Sequence, residues 1–111
     1  MKNKTRYIAS LSSLVGLLAM GFMPSAMAHT PICSCYDNGD DTILCEGGFS
    51  DGSSAAGVVM RVSNAAGNTV LEGKMTEDSE FEFDKPKGDY EVLFDAGEGH
   101  QIRIHGREIV E

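Results

Sequence analysis

The sequence predicts an all-β protein, an antiparallel β-sandwich of about seven short strands. Two observations carry that prediction. Short runs of residues alternate between apolar and polar side chains, and turn-forming residues separate these runs at roughly ten-residue spacing. No stretch after residue 28 keeps the 3.6-residue period of an amphipathic helix.

Each strand is predicted from alternating apolar and polar residues, and its ends are predicted from the turn-forming residues beside it. Asn38-Gly39 suits a tight hairpin after the first strand, and Gly47-Gly48 predicts the end of the second. Phe81 and Phe83 alternate with three acidic residues in the fifth strand. The predicted strands cover residues 32–36, 42–46, 57–62, 69–75, 80–84, 90–95 and 101–105.

The sixth predicted strand and the loop after it are the stretch around which the domain is organised. Tyr90, Val92 and Phe94 share one face of the strand, as core residues of a sandwich would. The loop contains Gly97 and Gly99 and presents His100 where the next strand begins. The loop is therefore predicted to connect a hairpin and to display a histidine at one end of the sandwich.

Residues 1–28 have the composition of a secretory signal peptide. A basic start is followed by an apolar stretch over residues 8–22 and by Ala26-Met27-Ala28, a small-x-small cleavage site. The mature chain is then predicted to be a single domain, residues 29–111, in the periplasm or secreted. It contains no second apolar run long enough to span a bilayer.

The negative charge of this domain argues against some classes of binding partner. All 17 acidic residues but only six of the nine Lys and Arg residues lie in 29–111, which gives a formal charge of −11. Nucleic acids and anionic membrane surfaces would be repelled by such a charge, whereas cations and basic protein surfaces would be attracted. The acidic side chains lie on alternating outer faces, so we predict a binding protein rather than an enzyme.

A motif in the second half of the domain resembles the carboxypeptidase-regulatory or prealbumin-like β-sandwich. Its order is Thr-x-Asp-x-x-Phe-x-Phe, a Pro-x-Gly turn and Tyr-x-Val. The matching positions are Thr76, Asp78, Phe81, Phe83, Pro86, Gly88, Tyr90 and Val92. The resemblance implies a sandwich fold of a kind that many binding domains share.

The mature chain also resembles the small exported subunits that accompany nickel and cobalt transporters of the energy-coupling-factor type. The resemblance is carried by three stretches: Ala28-His29, the run from Glu46 to Gly52, and Ala96-Gly97-Glu98-Gly99-His100. It implies a periplasmic accessory protein for metal uptake, with nickel or cobalt as the ion and a membrane transporter as the partner.

Two histidines are the main candidate metal ligands. His29 becomes the first residue after cleavage, so its amine and its imidazole would both offer nitrogen, which suits nickel, cobalt, copper and zinc. The glycines before His100 let the loop fold back and hold its imidazole over the sandwich end. Alternatively, His100 is a polar residue of the hairpin without a role in binding. His105, the third histidine, is predicted to face solvent.

The three cysteines leave several arrangements open. Cys35 and Cys45 flank the Asn38-Gly39 turn almost symmetrically, so they are predicted to face each other and form a disulfide. A Cys33–Cys45 disulfide is the other pairing. Alternatively, Cys33 and Cys35 supply thiolates to a metal together with His29 and His100.

Three functions follow from these residues. The first is an exported metal-binding accessory for nickel or cobalt, with copper or zinc as other possible ions. The second is a protein–protein interaction module of the cell envelope, stapled by a disulfide and without metal. The third is a redox protein that uses Cys33-x-Cys35. The sequence favours the first.

Overall fold

The computed structural model describes residues 29–111, and the predicted signal peptide lies outside the described residues. This part of the chain forms seven strands in two antiparallel sheets, which confirms the predicted β-sandwich. The strands are β1 (Pro31–Asp37), β2 (Thr42–Phe49), β3 (Val59–Asn64), β4 (Thr69–Lys74), β5 (Glu80–Asp84), β6 (Tyr90–Asp95) and β7 (Gln101–His105).

One sheet has three strands in the order β1-β2-β5, and the other has four in the order β4-β3-β6-β7. Hairpins join β1 to β2, β3 to β4 and β6 to β7, whereas β2 pairs with β5 and β3 with β6 across long sequence separations. The hairpin between β6 and β7 places the His100 loop at one end of the four-stranded sheet.

The core lies between the sheets and follows the predicted alternation. Tyr90, Val92 and Phe94 point inward from β6, and all three are buried. Phe94 is the largest of the side chains that are fully buried, which are Phe94, Ile43, Met60, Val62, Val92 and Cys45. Burial of such side chains stabilises the fold by about 1.5–3 kcal/mol each for the larger aliphatic and aromatic ones.

The structure corrects the prediction that Gly47-Gly48 ends β2, because the strand continues to Phe49. Gly47 packs closely against two core side chains. A Cβ atom at this position would stand 2.7 Å from both Met75 Sδ and Phe94 Cε2. The glycine therefore permits close packing inside a strand and does not terminate it.

The chain after β7 is a short 3₁₀ turn over Gly106–Glu108 followed by the C-terminal residues. Ile109 is buried, whereas Val110 is exposed and its carbonyl oxygen accepts from the Asp37 N–H. In residues 29–111 we find no helix with the length and apolarity needed to cross a bilayer.

Candidate functional site

His29 and His100 lie at the same end of the sandwich, although 71 residues of chain separate them. Both line one shallow cavity of about 310 Å³ together with Phe49, Ser53 and Ala96. Phe49 forms the base of this cavity, since its ring meets His29 edge-on at 6.3 Å and Phe94 of the core at 6.1 Å between centroids. We refer to it as the histidine cavity.

The imidazole of His29 is oriented by a carboxylate. Its Nδ1 lies 2.7 Å from Oδ2 of Asp51. The hydroxyl and the backbone N–H of Ser53 both donate to the other oxygen, Oδ1, and they are the main reason why the pKa of Asp51 is lowered. Asp51 is thus an anion at neutral pH and can only accept, so Nδ1 of His29 carries the hydrogen.

The imidazole of His100 is oriented by its own loop. Its Nδ1 lies 3.1 Å from the carbonyl oxygen of Glu98, which also only accepts. The loop is closed by a backbone hydrogen bond from His100 to Gly97 and by one from Ala96 to His100. Gly97 and Gly99 adopt positive φ angles there, which explains why the loop needs two glycines.

The hydrogen bonds from Nδ1 of His29 and from Nδ1 of His100 determine which nitrogen of each ring is left free to bind a metal. When Nδ1 carries the hydrogen, Nε2 holds the lone pair. Histidines that bind metals nearly always donate their other ring N–H to a carboxylate or to a backbone carbonyl. His29 does the first and His100 the second, so in the neutral form both imidazoles have the tautomer of a metal ligand.

Asp95 anchors the His100 loop to the sheet. Its carboxylate accepts from Nε2 of Gln101, from a guanidinium N–H of Arg61 and from the backbone of Gly97. These bonds, the one from Gln101 first, lower the pKa of Asp95 to about 2. Little in the sequence marks Asp95 for this role, because its only local signal is that it precedes a glycine-rich turn.

Acid is therefore expected to destabilise the anchored loop. The folded pKa of Asp95 lies below its ordinary 3.8. Its contribution to stability is present above that value and is lost as the pH falls toward about 2. Thermal unfolding of wild type and Asp95→Asn measured from pH 5 to pH 2 should show a smaller pH dependence in the variant. Parallel pH profiles would contradict the assignment.

A disulfide joins Cys35 and Cys45, which are directly paired between β1 and β2. This is the pairing that the symmetric spacing around Asn38-Gly39 favoured. It removes Cys35 from the predicted ligand set, because an oxidised sulfur offers no thiolate.

Cys33 keeps its thiol but does not reach the histidine cavity. It faces the core from β1 and is half-buried, and this burial raises its pKa to about 11. At neutral pH the group is a protonated thiol, which is neither a good ligand nor a good nucleophile. The structure thus brings together the predicted histidines without the predicted cysteines, and it offers no support for Cys33-x-Cys35 redox chemistry.

His105, predicted to face solvent, is exposed and lies apart from the other two histidines. It lines a different cavity of about 710 Å³, beside Arg103 and Arg107. Over residues 29–111, no group of three or more His, Cys, Asp or Glu side chains gathers around one ion position. The histidine cavity is accordingly a two-imidazole arrangement.

Besides Asp95, the site residues to which the sequence assigned no role are Asp51, Phe49 and Ser53. A local signal for Asp51 was present, because Asp before Gly and Ser is typical of a side chain that caps its own turn. Comparison of the chain with protein-family models, with curated proteins and with solved structures finds no match.

Proposed function

We propose that this protein binds a transition-metal ion, nickel or cobalt in the first place, through Nε2 of His29 and Nε2 of His100. It would do so outside the cytoplasm, as an accessory that supplies metal to an uptake system in the membrane. The observation that carries the proposal is the pair of oriented imidazoles. Two rings from distant parts of the chain line one cavity, and each donates its Nδ1 hydrogen to an acceptor.

Further support comes from the position of His29. If the signal peptide is removed after Ala28, the amine of His29 becomes a third nitrogen beside the two rings. Nitrogen ligands suit divalent nickel, cobalt, copper and zinc. A site with three nitrogens from the protein leaves coordination positions for water or for a ligand from the transporter.

The negative charge of the domain also favours the binding of a metal cation. Residues 29–111 carry 17 acidic residues, and the resulting negative potential raises the local concentration of cations near the cavity. A negative domain of this kind also stays in solution. We therefore infer binding and delivery of an ion, and not turnover of a substrate.

The test is calorimetric titration of the chain beginning at His29, without a tag, with Ni²⁺, Co²⁺, Cu²⁺ and Zn²⁺. We expect one ion per chain, with affinity rising from Co²⁺ to Ni²⁺ to Cu²⁺, as nitrogen sites generally do. His100→Ala should weaken nickel binding by at least about tenfold, because one of few protein ligands is lost. Asp51→Asn should weaken it by about 10–100-fold, because the carboxylate that orients His29 is lost.

His105→Ala is the matched control, since this histidine is exposed but lies outside the histidine cavity. It should bind nickel like wild type. An added residue before His29 separates the amine from the ring and tests the third nitrogen. Equal losses in His100→Ala and His105→Ala, or no binding by the unmodified chain, would refute the proposed site.

A further inference from the structure

The outer face of the three-stranded sheet carries an uncompensated row of acids. Glu46 on β2 and Glu80, Glu82 and Asp84 on β5 alternate with core residues and therefore point away from the sandwich. We call these four residues the acidic row. Within residues 29–111, none of the four forms an ion pair with a basic side chain within 4.0 Å.

The pairing of β2 with β5 places acidic side chains of this row next to each other, which destabilises the isolated domain. Glu46 and Glu80 are direct cross-strand partners. Like charges placed directly opposite in a sheet are destabilising. A cation that binds between or beside them would relieve this repulsion.

The outer face of the other sheet shows the opposite arrangement. There Arg61 contacts both Glu72 and Asp95, and Arg103 contacts Glu91 at 3.0 Å. The basic residues on this sheet thus neutralise their acidic neighbours on the next strand. The two outer faces therefore differ in charge, and the acidic side chains without a basic partner lie on the three-stranded sheet.

Exposed apolar side chains lie beside the acidic row. Ile32 and Tyr36 project from the outer face of β1 and are 50% and 44% exposed. Gly48, the direct partner of Ile32 on β2, has no side chain, and a Cβ built there would meet only the carbonyl oxygen of Ser53, at 3.8 Å. Ile32, Tyr36 and Gly48 line a groove of about 410 Å³ together with Phe49, several serines and Glu46, the member of the acidic row nearest to them.

The groove also adjoins the histidine cavity, because Phe49 and Ser53 line both. A molecule that occupies the groove would therefore lie next to His29. Its occupant can be inferred from the chemistry of the face. A groove that carries exposed apolar side chains on one side and Glu46 on the other, with the remaining acids on the adjacent strand β5, complements a chain that presents apolar side chains beside Lys or Arg.

We propose that this face docks a polypeptide segment of a partner protein in which basic residues alternate with apolar ones. Charge complementarity distinguishes this occupant from a second copy of the chain. A symmetric dimer through the same face would bring one acidic row against another, since an isologous interface places the same patch on both sides. The inference stands independently of the metal proposal.

The experiment uses three fluorescent peptides of equal length, with alternating Lys and Val, alternating Glu and Val, and alternating Lys and Ser. Their binding to the chain from His29 is followed by fluorescence anisotropy at physiological salt. We expect the Lys-Val peptide to bind most tightly, because only this peptide matches both the charge and the apolar strip. Equal binding of the Lys-Ser peptide would refute a role for the groove.

Two sets of substitutions locate the peptide on the protein. Glu46→Gln, Glu80→Gln and Glu82→Gln in combination should weaken the Lys-Val peptide by about tenfold, as three solvent-exposed charge contacts are lost. Ile32→Ser with Tyr36→Ser should also weaken it, and these two side chains are exposed enough for the variant to fold.

The matched control changes the net charge by the same three units elsewhere. It combines Glu72→Gln, Asp89→Asn and Glu108→Gln, three exposed acids outside the acidic row. This control should bind the Lys-Val peptide within about twofold of wild type. Equal weakening by the two charge sets would mean general electrostatic attraction and would overturn the proposal. So would concentration-dependent dimerisation that Ile32→Ser abolishes.

Discussion

Phe94→Ala is expected to lower the free energy of unfolding by about 3–5 kcal/mol, which is typical for removal of a fully buried aromatic ring. Phe94 is the largest fully buried side chain, and it packs from β6 against the opposite sheet. It contacts Phe49, which forms the base of the histidine cavity. The substitution should therefore weaken both the core and the support of the site.

Denaturant unfolding followed by circular dichroism measures this change. Val70→Ala is the control, because Val70 is 54% exposed on the edge strand β4, and its truncation should cost less than about 0.5 kcal/mol. If Phe94→Ala does not fold, Phe94→Leu retains part of the buried surface and should show a smaller loss. A loss for Phe94→Leu no larger than that for Val70→Ala would contradict the assigned core.

Removal of the disulfide is expected to cost about 2–3 kcal/mol. The bond closes a loop of ten residues between Cys35 and Cys45, and a crosslink of that length restricts the unfolded chain by about this much. Cys45 is also fully buried in the core. For a domain of 83 residues such a loss is a large fraction of the total stability.

The measurement compares the thermal midpoints of wild type and of Cys35→Ala with Cys45→Ala, each with and without reductant. Reductant should lower the midpoint of wild type toward that of the double variant, and it should leave the double variant unchanged. Cys33→Ala keeps the disulfide and serves as the control that responds to reductant like wild type. A wild-type midpoint insensitive to full reduction would show that the bond does not stabilise the fold.

Much of the fold could be predicted from the sequence because strand formation here has local signals. Phe81 and Phe83 alternate with acids, and Tyr90, Val92 and Phe94 alternate with half-exposed residues. This two-residue alternation involves only neighbouring residues, so it can be recognised without knowing which strand pairs with it. The Cys35–Cys45 pairing was accessible for the same reason, since a two-strand hairpin with its turn at Asn38-Gly39 sets the register locally.

The candidate site could be predicted only in part. His29 and His100 were recognised as candidates from an expected cleavage point and from a pair of glycines, but neither signal says that the two rings share a cavity. The partner of His29 is Asp51, 22 residues away, and its Nδ1 contact is a tertiary one. The cysteines were included among the ligands because sequence spacing does not reveal whether a thiol faces a core or a cavity.

Residues close together in the chain were enough to predict seven strands and the β6–β7 loop that presents His100, and to favour the Cys35–Cys45 pairing over Cys33–Cys45. The folded domain alone reveals that β2 pairs with β5, which sets Glu46 opposite Glu80. It also reveals that His29 and His100 lie at one end and that Cys33 is turned toward the core. These arrangements depend on how two sheets pack, and packing is a balance of contacts between distant residues that no local pattern records.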